Sequence, residues 1–209
     1  MTRNIVLGAV TTFDGTGFAF RGEDVVGGTI NSVTFRQGGT TVARVEGISW
    51  SAVAFVDALI DIVDFDDWSA FDALMNASAP ITYDATAATN PGHADFLGLA
   101  VPVTYLGSAF GDYVRGTASG DRLEGRDGDD SLGAGAGNDT IWAGAGDDLI
   151  YGGDGDDRIG AGLGADEIWT GAGADLAYGG PGINRIGGGA GNDTLWGGAD
   201  GDSIYGGND

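Results

Sequence analysis

The sequence predicts a mainly β protein in two parts. Residues 108–209 read as a parallel β solenoid of nine-residue repeats, and residues 1–107 as a strand-rich α+β module that caps it. Three observations carry this. Glycine is 42 of 209 residues, and 30 of those lie in 111–209. Glycine near a third of a segment means collagen, disorder or a glycine-demanding repeat. Collagen needs glycine at every third residue and much proline, whereas Pro181 is the single proline of this segment. Second, an acidic position recurs every nine residues without a slip: Asp112, Asp121, Asp130, Asp139, Asp148, Asp157, Asp166, Asp175, then Asn184, Asp193 and Asp202. Third, two residues after each stands Val114, Leu123, Leu132, Ile141, Ile150, Ile159, Ile168, Ala177, Ile186, Leu195 or Ile204. Glycine-rich disorder is poor in aliphatics and would not hold both phases. A fixed short period marks a solenoid.

Taken in order, the chain opens with strand-like stretches: NIVLGAVTTF, GFAFRG, GTINSVTF and TTVARVEGI, with Gly27-Gly28 and Gly38-Gly39 between them. Helical spacing follows, with Val53, Val56, Ile60 and Val63 on one face and Ser49 or Ser51 as N-cap. A second helical stretch carries Trp68, Phe71 and Met75 behind a cap at Asp66 or Asp67, and Pro80 ends it. Extended pieces, ITYDA and AVPVTYL, lead into the repeats. Such a module suits the open sheet edge that a solenoid presents at its end.

In the repeat, six residues such as Gly152-Gly153-Asp154-Gly155-Asp156-Asp157 suit a tight turn, since glycine adopts positive φ without steric cost. The next three alternate outward, inward, outward. Coils of two nonapeptides then stack into two parallel sheets around a thin core; about five coils would span about 25 Å. Three residues after each aspartate a longer period runs: Gly133, Trp142, Tyr151, Gly160, Trp169, Tyr178, Gly187, Trp196, Tyr205. Successive strands belong to opposite sheets, so Trp142, Tyr178 and Trp196 mark one outer face and Tyr151, Trp169 and Tyr205 the other. Same-face stacking explains these ladders; exposed aromatic patches also mark contact surfaces.

Units such as YGGDGDDRI and WGGADGDSI resemble the RTX (repeats-in-toxin, haemolysin-type) calcium-binding repeats. The turns ending at Asp130 through Asp193 fit best; those ending at Asp112 and Asp121 lack most of the glycines, and Asp200 replaces a glycine in the last full turn. The N-terminal pattern, a GTI-x-SV-x-F hairpin before a helix, resembles the region that precedes repeats in such proteins. The resemblance implies a β-roll binding several calcium ions between turns one coil apart. Carboxylate pairs would be Asp121 with Asp139, Asp130 with Asp148, Asp139 with Asp157, Asp148 with Asp166, Asp157 with Asp175, and Asp175 with Asp193. Asp112 and Asp202 extend the set, and Asn184 weakens any ion shared with it. The carbonyl donors would be Gly135, Gly137, Gly144, Gly146, Gly153, Gly155, Gly162, Gly164, Gly171 and Gly173. The physics agrees: rows of aspartate repel, ordering glycine is costly, and calcium takes six to eight oxygens in flexible geometry.

The resemblance further implies export through type I secretion machinery to the extracellular space or cell surface. The start, MTRNIVLGAV, is a poor Sec signal because its apolar stretch breaks at Gly8. The chain stops inside the next turn, at Asp209, where the family carries a further region with a secretion signal. A net charge of −22 excludes nucleic acid and anionic membrane as partners. No cysteine leaves no disulfide or thiolate chemistry, and no apolar run spans a bilayer. Catalytic candidates are few. GISWS lacks the final glycine of a nucleophile elbow, and the single histidine, His93, cannot make a two-histidine zinc site. The expectation is therefore a non-enzymatic calcium-binding module. Two alternatives stand beside it: an adhesin or surface-assembly protein touching glycans, proteins or its own copies through Trp142, Tyr151, Trp169, Tyr178, Trp196 and Tyr205, and a small enzyme within residues 1–107.

Overall fold

The computed structural model describes residues 10–21, 24–37, 40–46, 50–51, 80–86, 88, 91, 93–96 and 99–208. The expected helices around 53–63 and 68–75, with the caps at Ser49 and at Asp66 or Asp67, lie outside these residues, whereas Ser51, the other expected cap, pairs with Thr29 in a short strand. The first described strands are β1 (Val10–Arg21), β2 (Asp24–Gln37), β3 (Thr40–Glu46) and β4 (Trp50–Ser51). The stretches ending in VTTF and AFR, expected as two strands, form the single strand β1. The Gly27-Gly28 pair, expected as a break, lies within β2, with Gly27 opposite Ala19. Register shifts fall at Asp14/Gly15 and Thr16/Ala19. Glycine tolerates such bulges, so these residues distort a ladder instead of ending it.

Parallel pairing begins earlier than the glycine repeat. Strand β3 pairs antiparallel with β5 (Ile81–Asp84), and β5 pairs parallel with β7 (Val103–Leu106). On the opposite sheet β6 (His93–Asp95) pairs parallel with β8 (Tyr113–Arg115). Then follow β9 (Arg122–Asp127), β10 (Ser131–Ala136), β11 (Thr140–Ala145), β12 (Leu149–Asp154), β13 (Arg158–Leu163) and β14 (Glu167–Ala172). The last are β15 (Leu176–Tyr178), β16 (Arg185–Ala190), β17 (Thr194–Trp196) and β18 (Ser203–Tyr205). Odd strands from β5 to β17 form one parallel stack and even strands from β6 to β18 the other, seven in each. At roughly 4.8 Å per coil the roll is about 30 Å long, longer than the repeat alone suggests.

The first coils are wider. Ile81 pairs with Val103 and His93 with Tyr113, so each of these coils takes up more chain than a pair of nonapeptides. From the pairing of Thr104 with Arg122 onward, every coil is two nonapeptides. The interior of the first coils is also bulkier: Tyr105 takes the inward place opposite Leu123, stacks on Tyr83 at 5.7 Å, and Tyr83 meets Phe96 edge-on at 5.8 Å. Beyond them the inward residues Leu123, Leu132, Ile141, Ile150, Ile159, Ile168, Ala177 and Ile186 are fully buried.

Strands β9 to β14 and β16 are six residues long instead of the three expected. With the aspartate as sixth position, pairing runs through the seventh to ninth and on through the first to third of the next unit: Ser131 to Ala136 pair with Leu149 to Asp154. Ala134, Ala143, Ala161 and Thr170, at the first position, thus point inward and are fully buried, adding a second inward residue per strand. Pro181 explains the short β15, because it brings no N–H to the third position.

Candidate metal centre

Turns alternate between the two edges of the roll. One row holds Asp112, Asp130, Asp148, Asp166, Asn184 and Asp202; the other holds Asp121, Asp139, Asp157, Asp175 and Asp193. Each side chain is clamped to its row. The main-chain N–H of Asp112 donates to Asp130 Oδ1 at 2.6 Å, Asp130 to Asp148 at 2.8 Å, and Asp148 to Asp166 at 3.0 Å. The other row repeats this from Asp121 to Asp139 at 2.6 Å, Asp139 to Asp157 at 2.9 Å, and Asp157 to Asp175 at 2.8 Å. The sequence-predicted pairs are therefore brought together one coil apart; the aspartates from Asp112 to Asp175 are buried, and Asp193 and Asp202 are half-buried.

One oxygen is spoken for and the other is not. Oδ2 of Asp130, Asp139, Asp148, Asp157, Asp166 and Asp175 is buried and accepts no hydrogen bond among the described residues. What it faces is more oxygen. A Cβ built on Gly152 would overlap both Asp157 Oδ2 and the Thr170 carbonyl of the next coil; Gly125 stands in the same way between Asp130 Oδ2 and the Ala143 carbonyl. A buried acceptor among acceptors costs about 1–3 kcal/mol, and more when charged. Accordingly Asp130, Asp139 and Asp148 are pushed up to about 7 and Asp157 to about 6, while Asp166 is raised. Burial is the main cause; the backbone N–H on Oδ1 pulls the other way, and neighbouring carboxylates add to the rise.

Three turns of the same rows are built differently. Asp112 Oδ2 accepts from Ser108 N–H at 2.7 Å, and Asp121 Oδ2 from Thr117 N–H at 2.6 Å, with both hydroxyls on Oδ1. These are the turns with Ser or Thr at the second position. At Asn184 the Oδ1 accepts from Asp166 N–H at 3.0 Å, which fixes the amide so that Nδ2 takes the place of the aspartate Oδ2. Nδ2 donates to the carbonyls of Gly180 at 3.2 Å and Gly197 at 3.3 Å, with Gly182 O at 3.5 Å.

The family model for the RTX calcium-binding nonapeptide repeat matches residues 106–141, 124–159, 133–168, 161–186 and 178–209. The chain belongs to the RTX repeat family. No curated protein and no solved structure matches it.

The RTX match names the cation, and the donor set fits it. Among the described residues no three carboxylate or imidazole side chains converge on one point. A hard, oxygen-seeking ion takes backbone carbonyls and water as well as carboxylates. The expected carbonyl donors sit at the second and fourth positions, and Gly135, Gly137, Gly144, Gly146, Gly153, Gly155, Gly162, Gly164, Gly171 and Gly173 all have φ between +109° and +143°. That left-handed backbone is open to glycine alone at low cost. Arg126, at the second position of its turn, is the exception with φ of 87°.

An outer ladder escaped the sequence reading. Asp147 N–H donates to Asp129 Oδ1 at 2.9 Å, Ala165 N–H to Asp147 Oδ1 at 2.8 Å, and Asp156 N–H to Asn138 Oδ1 at 3.0 Å. These fifth-position residues run the opposite way to the inner clamp, and the doublets Asp129-Asp130, Asn138-Asp139 and Asp147-Asp148 are its sequence signal.

The aromatic faces of the RTX roll are as the register requires: Trp142 lies beside Gly160 and Tyr178 beside Trp196, while Tyr151 lies beside Trp169 and Gly187 beside Tyr205. Trp142, Tyr151, Tyr178, Trp196 and Tyr205 are exposed, and Trp169 is half-buried. Trp142 and Trp169 lie over Gly160 and Gly187, where a Cβ would strike the rings. Tyr178 and Trp196 stack at 4.5 Å, 8° from parallel. Arg185 reaches over Trp169 at 4.9 Å and Tyr205 at 5.7 Å, bridging the gap above Gly187.

Proposed function

We propose that this chain is a calcium-dependent β-roll module of an exported protein, and that its role is structural instead of enzymatic. The observation that carries the reading is the set of buried carboxylate oxygens without a donor, from Asp130 to Asp175, repeated in register along both edges. Calcium would be held by Asp130 with Asp148, Asp148 with Asp166, Asp139 with Asp157 and Asp157 with Asp175, together with turn carbonyls of the second and fourth positions. The Asp193 and Asp202 turns continue the two rows. The ion supplies positive charge between coils whose carboxylates otherwise repel. The chain's own part is to present oxygens on glycine turns and to clamp each carboxylate through Oδ1. Because such an ion binds only the folded roll, it stabilises by RT ln(1 + [Ca]/Kd) per site. Extracellular modules bind calcium with Kd of about 10⁻⁴–10⁻³ M. A chain so tuned stays unfolded in low-calcium cytosol, passes type I secretion machinery, and folds outside the cell or on its surface. Residues 1–107 serve as the cap, adding strands β1–β3 to one sheet edge; residues 108–209 are the calcium-binding roll.

The test is a calcium titration of chelator-treated protein followed by far-UV circular dichroism, with magnesium in parallel. A cooperative gain of strand signal near millimolar calcium, absent with magnesium, is expected. A signal indifferent to calcium would make the repeat a preformed scaffold and end this reading.

A second reading is favoured by the exposed Tyr178–Trp196 stack and the flat-lying Trp142. On it, the aromatic faces contact glycans or neighbouring copies. Replacing Trp142, Trp169 and Trp196 together should then abolish self-association or glycan retention while calcium affinity stays; unchanged binding rejects it.

A further inference from the structure

Within one roll the same position of the turn is satisfied in two ways. At Asp130, Asp139, Asp148, Asp157, Asp166 and Asp175 Oδ2 is buried without a donor. In three turns the chain supplies the donor itself: Ser108 for Asp112, Thr117 for Asp121, and in the third the Asn184 amide takes the carboxylate's place. The Asn184 case is the more telling. Its side chain is buried, its orientation is fixed by Asp166 N–H, and its Nδ2 bonds carbonyls from its own turn and from the next coil. Those carbonyls stand where, by register, Gly162 and Gly179 stand for Asp166, and Gly144 and Ala161 for Asp148. An amide N–H₂ presents partial positive charge to oxygens that elsewhere would need a cation. At Asp112 and Asp121 both carboxylate oxygens already accept protein hydrogen bonds, so an ion would have to compete with them.

We propose that three turns of the roll hold no calcium because the chain closes them itself: that of Asn184 by its side-chain amide, and those of Asp112 and Asp121 by Ser108 and Thr117. This rests on the calcium reading above and deepens it. The row of Asp130, Asp148 and Asp166 is interrupted at Asn184, while the row of Asp139, Asp157, Asp175 and Asp193 runs through. Direct stabilisation by ions starts at Asp130, and the coils before it rely on their aromatic interior instead.

The test counts ions. Native mass spectrometry of the full chain in calcium gives a stoichiometry for wild type, Asn184→Asp, Asp121→Asn and Asp148→Asn. Asn184→Asp should hold at least one ion more than wild type, Asp121→Asn the same number, and Asp148→Asn fewer by the two that Asp148 shares with Asp130 and Asp166. An unchanged count in Asn184→Asp, or a lost ion in Asp121→Asn, overturns the assignment for that turn. Folding linkage gives an independent readout: the slope of the logarithm of the folding constant against that of free calcium should rise by at least about one in Asn184→Asp. Should no form bind calcium, the functional reading fails by itself, and urea midpoints in chelator still judge the closure. A lower midpoint for Asn184→Asp than for wild type supports it, and an equal or higher one refutes it.

Discussion

Exchanging Asp148 for asparagine should change the sign of its effect with calcium. Asp148 is buried, its Oδ1 accepts from Asp130 N–H at 2.8 Å, and its Oδ2 accepts nothing. An asparagine keeps the Oδ1 bond and turns Nδ2 toward the carbonyls of its own turn and of Ala161, as Asn184 does toward Gly180 and Gly197. Without metal the substitution removes an unsatisfied buried acceptor, a gain of about 1–3 kcal/mol. With metal it forfeits the two sites shared with Asp130 and Asp166, each worth about 2.7 kcal/mol at a hundredfold excess of calcium over Kd. The two effects cancel where 2RT ln(1 + [Ca]/Kd) equals the gain, at roughly 1 to 12 times Kd. Urea denaturation of both proteins at a series of buffered calcium concentrations, at pH 8, reads this directly. The stability curves should cross, with the variant ahead at low calcium and behind at high. A variant less stable than wild type at every calcium concentration would refute the reasoning, since Oδ2 would then have a favourable role that needs no ion.

Other expectations follow from the same geometry. Gly153→Ala places a Cβ onto the Gly135 carbonyl at a φ of 117°, and should cost at least about 2 kcal/mol, whereas Arg126→Gly should cost nothing or stabilise by about 1 kcal/mol; paired urea midpoints decide both. Ile150→Ala, deep in the column between the sheets, should lose about 2–5 kcal/mol, and Ile204→Ala, 46% exposed, under about 1 kcal/mol. The metal-free roll should be sensitive to pH in an unusual direction. Asp130, Asp139, Asp148 and Asp157 have folded values raised to about 6–7, so the folded state binds the extra protons. Stability in chelator is then fullest near pH 4 and falls as pH rises through 7, while apparent calcium affinity rises over the same interval. Thermal melts at pH 5 and pH 8, with chelator and with calcium, should show opposite trends.

The roll was legible because its constraints are local and repeated. An inward aliphatic two residues after each aspartate, and a residue outward one further on, are what a stacked strand demands, and Ile150 and Tyr151 sit as their phase requires. The strands ran on into the glycines because Gly135 and Gly153 pair across coils despite positive φ, something composition reads as turn. The first two coils left no glycine signature: the pairings of Ile81 with Val103 and of His93 with Tyr113 differ in span and share no period, and Tyr105 fills space that later coils give to aliphatics. At the metal rows the letters alone mislead in detail. Asp121 and Asp139 share a phase, yet Thr117 against Ala134–Gly135 decides whether the carboxylate is already satisfied.

The two periods of the roll also set rules for how it can lengthen. A coil consumes a pair of nonapeptides and the glycine–tryptophan–tyrosine unit consumes three, so each copy of that unit lands on the opposite sheet from the last. Inserting a pair of nonapeptides would keep each aspartate on its edge but place the wrong partners over Gly160 and Gly187. Inserting three would carry every downstream strand to the other face of the molecule. Both patterns survive only when whole coils and whole aromatic units are completed together, at three coils and two units. The shortest duplication that is silent for the whole surface is therefore six nonapeptides long, and shorter events would show as breaks in the aromatic order while the acidic rows read on undisturbed.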